Sequence, residues 1–231
     1  MKSSSIFNKI ILFCCRNVKT WLQIQKLTSH QLTVTQLSFS PNGKYLLSVS
    51  RDRRWSLFGV KEDNKLYELL YATDSKGGFH TRIIWCCAWT YDSTTFATGS
   101  RDGKIGIWGN ITRSESEPTK VDLLANLELP KESVTALAFS PVLIKNFHLL
   151  AIGLETGIIH LYRYFGAEIE NLWVVFQGDL GHHLSVKRLA FRPKLGRSGV
   201  SKEKEDSNVI QLASCGSDHI LKIFDVYLNL L

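Results

Sequence analysis

Three sets of side chains in this sequence combine residue types that could carry out nucleophilic catalysis. A histidine, a hydroxyl residue and an aspartate recur in the same order: His30, Ser48 and Asp52; His80, Thr98 and Asp102; His182, Ser214 and Asp218. In a hydrolase triad the histidine takes the hydroxyl proton and the aspartate orients the ring. An enzyme needs only one such triad, placed beside an oxyanion hole. Because these sets recur at matching places, we predict that they are structural and that the protein is not an enzyme.

Other candidate chemistry has even less support. His182 and His183 are adjacent, so an extended segment would point them to opposite faces, away from a shared metal. No glycine-rich loop has the spacing of a phosphate cradle, and no carboxylate pair recurs in an acid–base context. The sequence therefore predicts no catalytic, metal or cofactor site.

The cysteines suit neither a disulfide framework nor a zinc site, because their number is odd and most stand in adjacent pairs. They are Cys14, Cys15, Cys86, Cys87 and Cys215. Buried reduced thiols are the simpler interpretation, and they predict a cytoplasmic and nuclear location.

Short apolar strands must position the three sets. Apolar residues stand at matching offsets in four segments, 34–41, 83–92, 134–141 and 186–193, which recur about every 50 residues. Each is followed by a second strand, at 45–50, 95–100, 148–153 and 210–215, and by a tight turn. A third strand with period-two alternation comes next, at 55–58, 104–108, 158–162 and 221–224. A further strand precedes each unit, at 21–27, 66–72, 122–129 and 172–177. This organisation predicts a radially repeated antiparallel sheet.

Composition and charge set wide limits on function. The 231 residues are 44% hydrophobic and carry a net charge of +7, which permits an acidic protein, phosphate or nucleic-acid partner without requiring one. No apolar run approaches the length that spans a bilayer. In residues 1–20, Asn8 and Lys9 interrupt the apolar run and no cleavage site follows. We interpret this segment as a leader outside the fold, in preference to a secretion signal or a membrane-associated cysteine pair.

The repeat resembles the WD-repeat β-propellers, whose units carry a histidine before the first strand, Ser or Thr in the second, Asp in the turn and Trp ending the third. The second unit has all four residues, ending at Trp108, whereas Phe58 and Phe224 replace the Trp in the first and fourth units. The third unit departs, with Pro130, Ile152, Thr156 and Tyr162 at these positions. The resemblance implies an all-β fold of four WD-repeat blades, each set being hydrogen-bonded inside its own blade.

These observations divide the chain into a leader (1–20), four blades (21–226) and a C-terminal tail (227–231). The blades are placed at about 21–60, 66–109, 122–164 and 172–226, with polar surface loops at 111–120 and 194–208. Rings of this family usually have about seven blades. The four blades are therefore interpreted as part of a larger ring. Alternatively, strand 21–27 completes the last blade of a ring of 16 strands.

The resemblance also implies that the turns between second and third strands share one face with the histidine-bearing loops. Five basic residues would then lie together on the rim of two neighbouring blades: Arg51, Arg53, Arg54, Arg101 and Lys104. Arginine side chains bind carboxylates and phosphates well, so this rim is the candidate partner-binding site. The alternative interpretation is solvated turn charge.

Within the family, residues 22–226 look like part of a propeller subunit from a complex that modifies wobble uridines of tRNA. This implies a non-catalytic scaffold that contacts a large scaffold subunit and a catalytic acetyltransferase-like subunit, with at most weak contact to tRNA and none to membranes. Two other functions stay open: direct RNA binding by the basic rim, and a signalling scaffold with another client.

Overall fold

The computed structural model describes residues 23–61, 63, 65–74, 76, 78–114, 117–196 and 208–231, and the predicted all-β fold of four blades is confirmed. Blade 1 contains β1 (Val34–Phe39), β2 (Tyr45–Ser50), β3 (Trp55–Val60) and β4 (Tyr67–Ala72). Blade 2 contains β5 (Ile84–Trp89), β6 (Phe96–Ser100), β7 (Lys104–Thr112) and β8 (Lys120–Glu128). Blade 3 contains β9 (Val134–Phe139), β10 (His148–Leu154), β11 (Ile159–Tyr164) and β12 (Ile169–Phe176). Blade 4 contains β13 (Val186–Phe191), β14 (Val209–Gly216) and β15 (Leu221–Tyr227), followed by a 3-10 helix at Leu228–Leu230.

Each blade is an antiparallel meander in which consecutive strands are neighbours. In blades 1 to 3 most residues of the second and third strands are buried, because both faces of these strands are covered. In blade 4 every second residue of the third strand, β15, is exposed. The first strand of one blade packs on the first strand of the next, so β1, β5, β9 and β13 line the centre of the array in that order.

The core consists of three apolar layers, one between each pair of consecutive blades, and a smaller cluster on the outer face of blade 1. Between blades 1 and 2, Leu57 and Trp55 pack against Phe96 and Trp108. Between blades 2 and 3, Ile105 and Ile107 share a cluster with residues such as Ile152, and between blades 3 and 4 a similar cluster includes Leu161 and Leu212. In blades 2 and 4, the face that carries Thr98 or Ser214 packs against the preceding blade.

The structure groups the strands differently from the repeat units that we cut from the sequence. The strands at 67–72, 120–128 and 169–176 close the sheets of blades 1, 2 and 3, whereas the sequence units placed them at the start of the following blade. Each first strand lies at the centre of the array, so the edge that is not paired with the second strand faces the first strands of other blades. No further strand can hydrogen-bond at that edge.

In the described part of the expected strand at 21–27, only Gln23 forms a β-bridge. Residues 24–27 lie outside any strand, and blade 4 has three strands among the described residues. Instead the side chain of Gln25 pairs with the backbone of Tyr67, accepting from its N–H at 2.9 Å, and Leu27 packs on Leu46 and Phe58. This segment therefore covers the free face of blade 1.

The proposed leader, the two proposed loops and the C-terminal tail compare with the structure as follows. The proposed leader (1–20) and residues 197–207 of the proposed loop at 194–208 lie outside the described residues. The proposed loop at 111–120 is shorter than expected, because Ile111 and Thr112 end β7 and Lys120 begins β8. In the C-terminal tail, Leu228 is buried. In the described ranges, no helix is long and apolar enough to cross a membrane.

Candidate functional site

The histidine sets of blades 1 and 4 form the same hydrogen-bonded chain. In blade 1, His30 Nδ1 lies 3.1 Å from Asp52 Oδ2 and Nε2 lies 2.7 Å from Ser48 Oγ. In blade 4, the corresponding distances from His182 are 2.9 Å to either oxygen of Asp218 and 2.7 Å to Ser214 Oγ. Each aspartate also accepts a backbone N–H from the residue after the histidine, so the carboxylate ties the incoming loop to the turn.

Blade 2 has the complete set of four residue types but a looser contact between histidine and aspartate. His80 Nε2 lies 2.8 Å from Thr98 Oγ1, and Trp108 Nε1 donates to the same oxygen at 2.9 Å. His80 Nδ1, however, lies 3.7 Å from Asp102 Oδ1 and has no hydrogen-bond partner. The Asp102 carboxylate instead accepts from the backbone N–H groups of Thr81, at 2.6 Å, and Lys104, at 3.0 Å.

The hydroxyl groups of these sets are in the wrong place for a nucleophile. Ser48 and Thr98 are fully buried, and Ser214 is 2% exposed, so a substrate carbonyl could not approach them. Burial also lowers the pKa of His80 although Asp102 opposes this effect, which keeps the imidazole neutral. The geometry therefore suits a role in holding each blade together.

Blade 3 replaces the histidine chain with packing. Ile152, Leu161 and Tyr162 are all at most 3% exposed, which matches the expectation that apolar contacts take over here. A separate polar link exists at the turn, where Thr156 Oγ1 donates to Glu132 Oε2 at 3.2 Å. The sequence does not predict this link, because Thr156 occupies the position of the turn aspartates and no histidine stands at the matching place in this blade.

The basic rim lies on turns that are anchored in the same way in every blade. The backbone N–H of Arg51 donates to Thr33 O at 2.9 Å, and that of Arg101 donates to Ile83 O at 2.9 Å. The equivalent donors in blades 3 and 4 are Glu155 and Ser217. The side-chain charge at this position is therefore positive in blades 1 and 2, negative in blade 3 and absent in blade 4.

Two of the five candidate rim residues are engaged inside their own blades. Arg54 Nε donates to Thr73 O at 2.5 Å. Lys104 Nζ lies 2.9 Å from Glu128 Oε1 and 5.6 Å from the centre of the Phe79 ring. The side chains of Arg51, Arg53 and Arg101 are exposed. These three cations are therefore the part of the predicted rim that faces solvent.

A cavity at the centre of the same end was missed by the sequence analysis. It has a volume of about 410 Å³ and is lined by the same offset of every first strand, namely Thr35, Trp85, Thr135 and Lys187. Glu155 and Arg188 border it as well. A signal was available, because Lys187 and Arg188 interrupt an otherwise apolar strand, but only the convergence of four strands places them together.

The cysteines of the described residues are free thiols. Cys86 and Cys87 are buried and Cys215 is partly buried, while Cys14 and Cys15 lie outside the description. Burial raises the pKa of Cys87 to about 12, so this thiol stays protonated. Across the described ranges, no cluster of three or more His, Cys, Asp or Glu side chains could hold a metal ion.

Comparison with known proteins agrees with the repeated blades of the fold. The family described as "WD domain, G-beta repeat" matches residues 21–58 and 77–109. The chain is 42% identical over 229 residues to a Danio rerio protein and 44% identical over 206 residues to a Drosophila melanogaster protein, covering 92% and 84% of this chain. A Homo sapiens protein is 36% identical over 223 residues, or 91% of this chain. All three are named Elongator complex protein 2, and the chain spans only 28%, 23% and 27% of their lengths.

Proposed function

Because the chain belongs to the WD-repeat β-propeller proteins and is similar to proteins named Elongator complex protein 2, we propose that it acts as a non-catalytic scaffold within an Elongator complex. The observation that carries this proposal is the similarity to the Danio rerio protein, which extends over 92% of the chain and therefore over all four blades.

In this role the chain supports modification of tRNA wobble uridines through contacts with other Elongator subunits, namely the large scaffold subunit and the catalytic acetyltransferase-like subunit. Its own polar sets are buried in the blades, which leaves its surfaces free for binding. The exposed guanidinium groups of Arg51, Arg53 and Arg101 suit acidic side chains of such partners. We propose a cytoplasmic and nuclear location.

Direct RNA binding is the second candidate function. The exposed rim arginines and the central Lys187 and Arg188 lie at the same end of the blades, which concentrates positive charge there. Binding of this kind should weaken with salt, and each lost phosphate contact should reduce the slope of log K against log salt by about one. A tRNA titration at several salt concentrations separates it from protein binding.

The scaffold proposal is tested by tagging the chain in eukaryotic cells, beside a version extended at its N-terminus to a full propeller, and identifying what co-purifies. Recovery of Elongator subunits with both versions supports the proposal and shows that these four blades suffice. Recovery with the extended version alone assigns the function to the longer protein. If neither version recovers them, the proposal is rejected.

A matched pair of variants tests the rim in the same experiment. Reversing charge at Arg51, Arg53 and Arg101 to glutamate should remove partners that bind there. The control reverses three exposed lysines elsewhere, Lys26, Lys120 and Lys194, so that the change in net charge is equal. Equal losses with both variants would show that only overall charge matters.

A further inference from the structure

A groove crosses blades 1 to 3 at the end opposite the basic rim. It has a volume of about 810 Å³ and is formed by the turns that join first to second and third to fourth strands. Its lining combines three carboxamides, Asn42, Asn110 and Asn146, with two apolar side chains, Leu143 and Phe165, each of which is 45% exposed. Carboxamides can donate to and accept from a peptide backbone, so the groove is suited to an extended chain.

One carboxylate in the groove has an oxygen available for a ligand. Asp92 Oδ1 is used inside its turn, where it accepts from Thr90 Oγ1 at 2.6 Å and from the N–H and hydroxyl of Thr94 at 3.1 and 2.9 Å. Asp92 Oδ2 has a different environment, since its ion-pair neighbour within the described residues is His148 Nε2 at 3.9 Å. The Asp92 side chain is 34% exposed, so a ligand can reach it.

His148 does not neutralise this carboxylate. It is 8% exposed and packs against the rings of Tyr91 and Tyr164, with centroid distances of 5.6 and 6.1 Å. Its Nδ1 atom is buried without a hydrogen-bond partner. Burial lowers the pKa of His148 although Asp92 opposes this effect, so the ring is neutral near pH 7. Among the described residues, the lining therefore holds a carboxylate that pairs with no charged side chain and an imidazole nitrogen without a hydrogen-bond partner.

We propose that this groove binds an extended segment of a partner protein through a basic side chain that pairs with Asp92 Oδ2 and an apolar side chain that packs on Leu143 and Phe165. The inference deepens the scaffold role proposed above and rests on it for the existence of a protein partner. A nucleic acid fits the groove less well, because the Asp92 carboxylate repels phosphates and Lys44 is the only Lys or Arg among the described residues of the lining.

Asp92→Asn removes the charge and keeps the turn. The equivalent turn of blade 1 shows this, because Asn42 Oδ1 accepts from Ser40 Oγ at 2.7 Å and from Lys44 N at 3.0 Å, as Asp92 does from Thr90 and Thr94. The matched control is Glu155→Gln, which makes the same change of charge at the opposite end of the blades. Phe165→Ser tests the apolar contact separately.

The probes are ten-residue synthetic peptides with a central arginine and one leucine moved through the other positions, beside sets in which the arginine is replaced by glutamine or glutamate. We expect the chain to bind the best arginine peptide about tenfold more tightly than its glutamine counterpart. Asp92→Asn should abolish this preference without changing the melting temperature, Phe165→Ser should weaken binding of both sets, and Glu155→Gln should change neither. Equal binding of both sets, an arginine preference that survives Asp92→Asn, or displacement of the peptides by single-stranded RNA would overturn the proposal.

Co-purification separates this inference from the scaffold role. If the wild-type chain recovers subunits and Asp92→Asn recovers fewer of them, both proposals are supported. If both chains recover the same subunits in equal amounts, the scaffold role stands and the groove is not its docking site. If the wild type recovers none, the scaffold role fails, and the peptide measurement still decides whether the groove binds a basic segment.

Discussion

The Nδ1 atom of His80 lies 3.7 Å from the carboxylate of Asp102, too far for a hydrogen bond, in the one blade that carries the complete set of four residue types. Asp102 accepts from the backbone N–H of Thr81, in the loop that carries the histidine, and from that of Lys104, in its own turn. The histidine is held by Thr98. In this blade the two halves of the set are therefore coupled mainly through the backbone.

This geometry predicts how blade 2 responds to loss of the carboxylate. Asp102→Ala leaves the N–H groups of Thr81 and Lys104 without their acceptor and removes the carboxylate that lies 3.7 Å from His80 Nδ1, so the free energy of unfolding should fall by about 1–3 kcal/mol. Chemical denaturation measures the change. Asp122→Ala, at an exposed position of the same blade, is the control, and a melt unaltered by Asp102→Ala would refute this role.

Trp108 gives blade 2 one hydrogen bond that blades 1 and 4 lack, because Phe58 and Phe224 have no ring N–H. Trp108→Phe should cost about 0.5–1.5 kcal/mol for the lost bond to Thr98, with a further loss of packing against Trp55. Thr98→Val should cost more, since it leaves both His80 Nε2 and Trp108 Nε1 unpaired. The double variant should lose less than the sum, and strict additivity would show that the two residues are not coupled.

The third residue of each rim turn has a positive φ angle, and its residue type decides how it can be changed. The φ angles are 70° at Arg53, 80° at Gly103, 91° at Gly157 and 63° at His219. A Cβ on Gly157 would collide with the carbonyl oxygen of His182, so Gly157→Ala should destabilise the chain by more than about 1 kcal/mol. Arg53→Gly should cause little change or a small gain, because relief of backbone strain offsets the added chain entropy. Thermal melts of both variants test this difference, which equal losses would contradict.

Stability should fall with decreasing pH in two steps. Burial lowers the pKa values of His80, His148 and His160 from 6.5, so below that pH the unfolded chain binds more protons than the folded one and the free energy of unfolding falls. A second loss should follow below about pH 4. For Asp52 and Asp102, burial opposes ionisation, but hydrogen bonds and the nearby histidines outweigh it and lower the pKa, so their contribution is lost as pH falls through the folded value.

Melting temperatures measured from pH 8 to pH 3 resolve these steps. His160→Gln should reduce the upper step, since it removes one titrating ring, and Asp102→Asn should reduce the lower one. A melting temperature that stays constant between pH 7 and pH 5 would contradict the assignment of the upper step to buried neutral histidines.

The open face of blade 4 should drive self-association of the chain. On β15, the side chains of Leu221, Ile223 and Tyr227 are 67%, 60% and 40% exposed, along a strand that ends its sheet among the described residues. Ile223→Lys should reduce light scattering at high protein concentration without lowering the melting temperature. Leu32→Lys is the control, because Leu32 is 54% exposed but lies outside any strand, and equal effects of both variants would point to net charge instead.

Much of this fold is readable in the sequence, because strand alternation and turn chemistry are local properties. The first, second and third strands of every blade lie where the repeated apolar segments predict them, and in three blades a histidine stands four residues before the first strand. Sheet membership of the outer strands was not readable in this way. The strand at 120–128 has short connections on both sides, 113–119 and 129–133, so connection length does not show which neighbour it joins.

The sequence by itself determined the all-β class, the positions of the repeated strands and turns, and the residue types that could form a buried network. Only the tertiary structure decided that each outer strand closes the preceding blade. It also decided that Arg54 and Lys104 contact their own blades, whereas the other three rim cations reach solvent. In addition, it placed Asp92 of blade 2 beside His148 of blade 3. The physical reason is that alternation is set by neighbours along one strand, whereas grooves, exposed charges and sheet edges depend on which blades pack together.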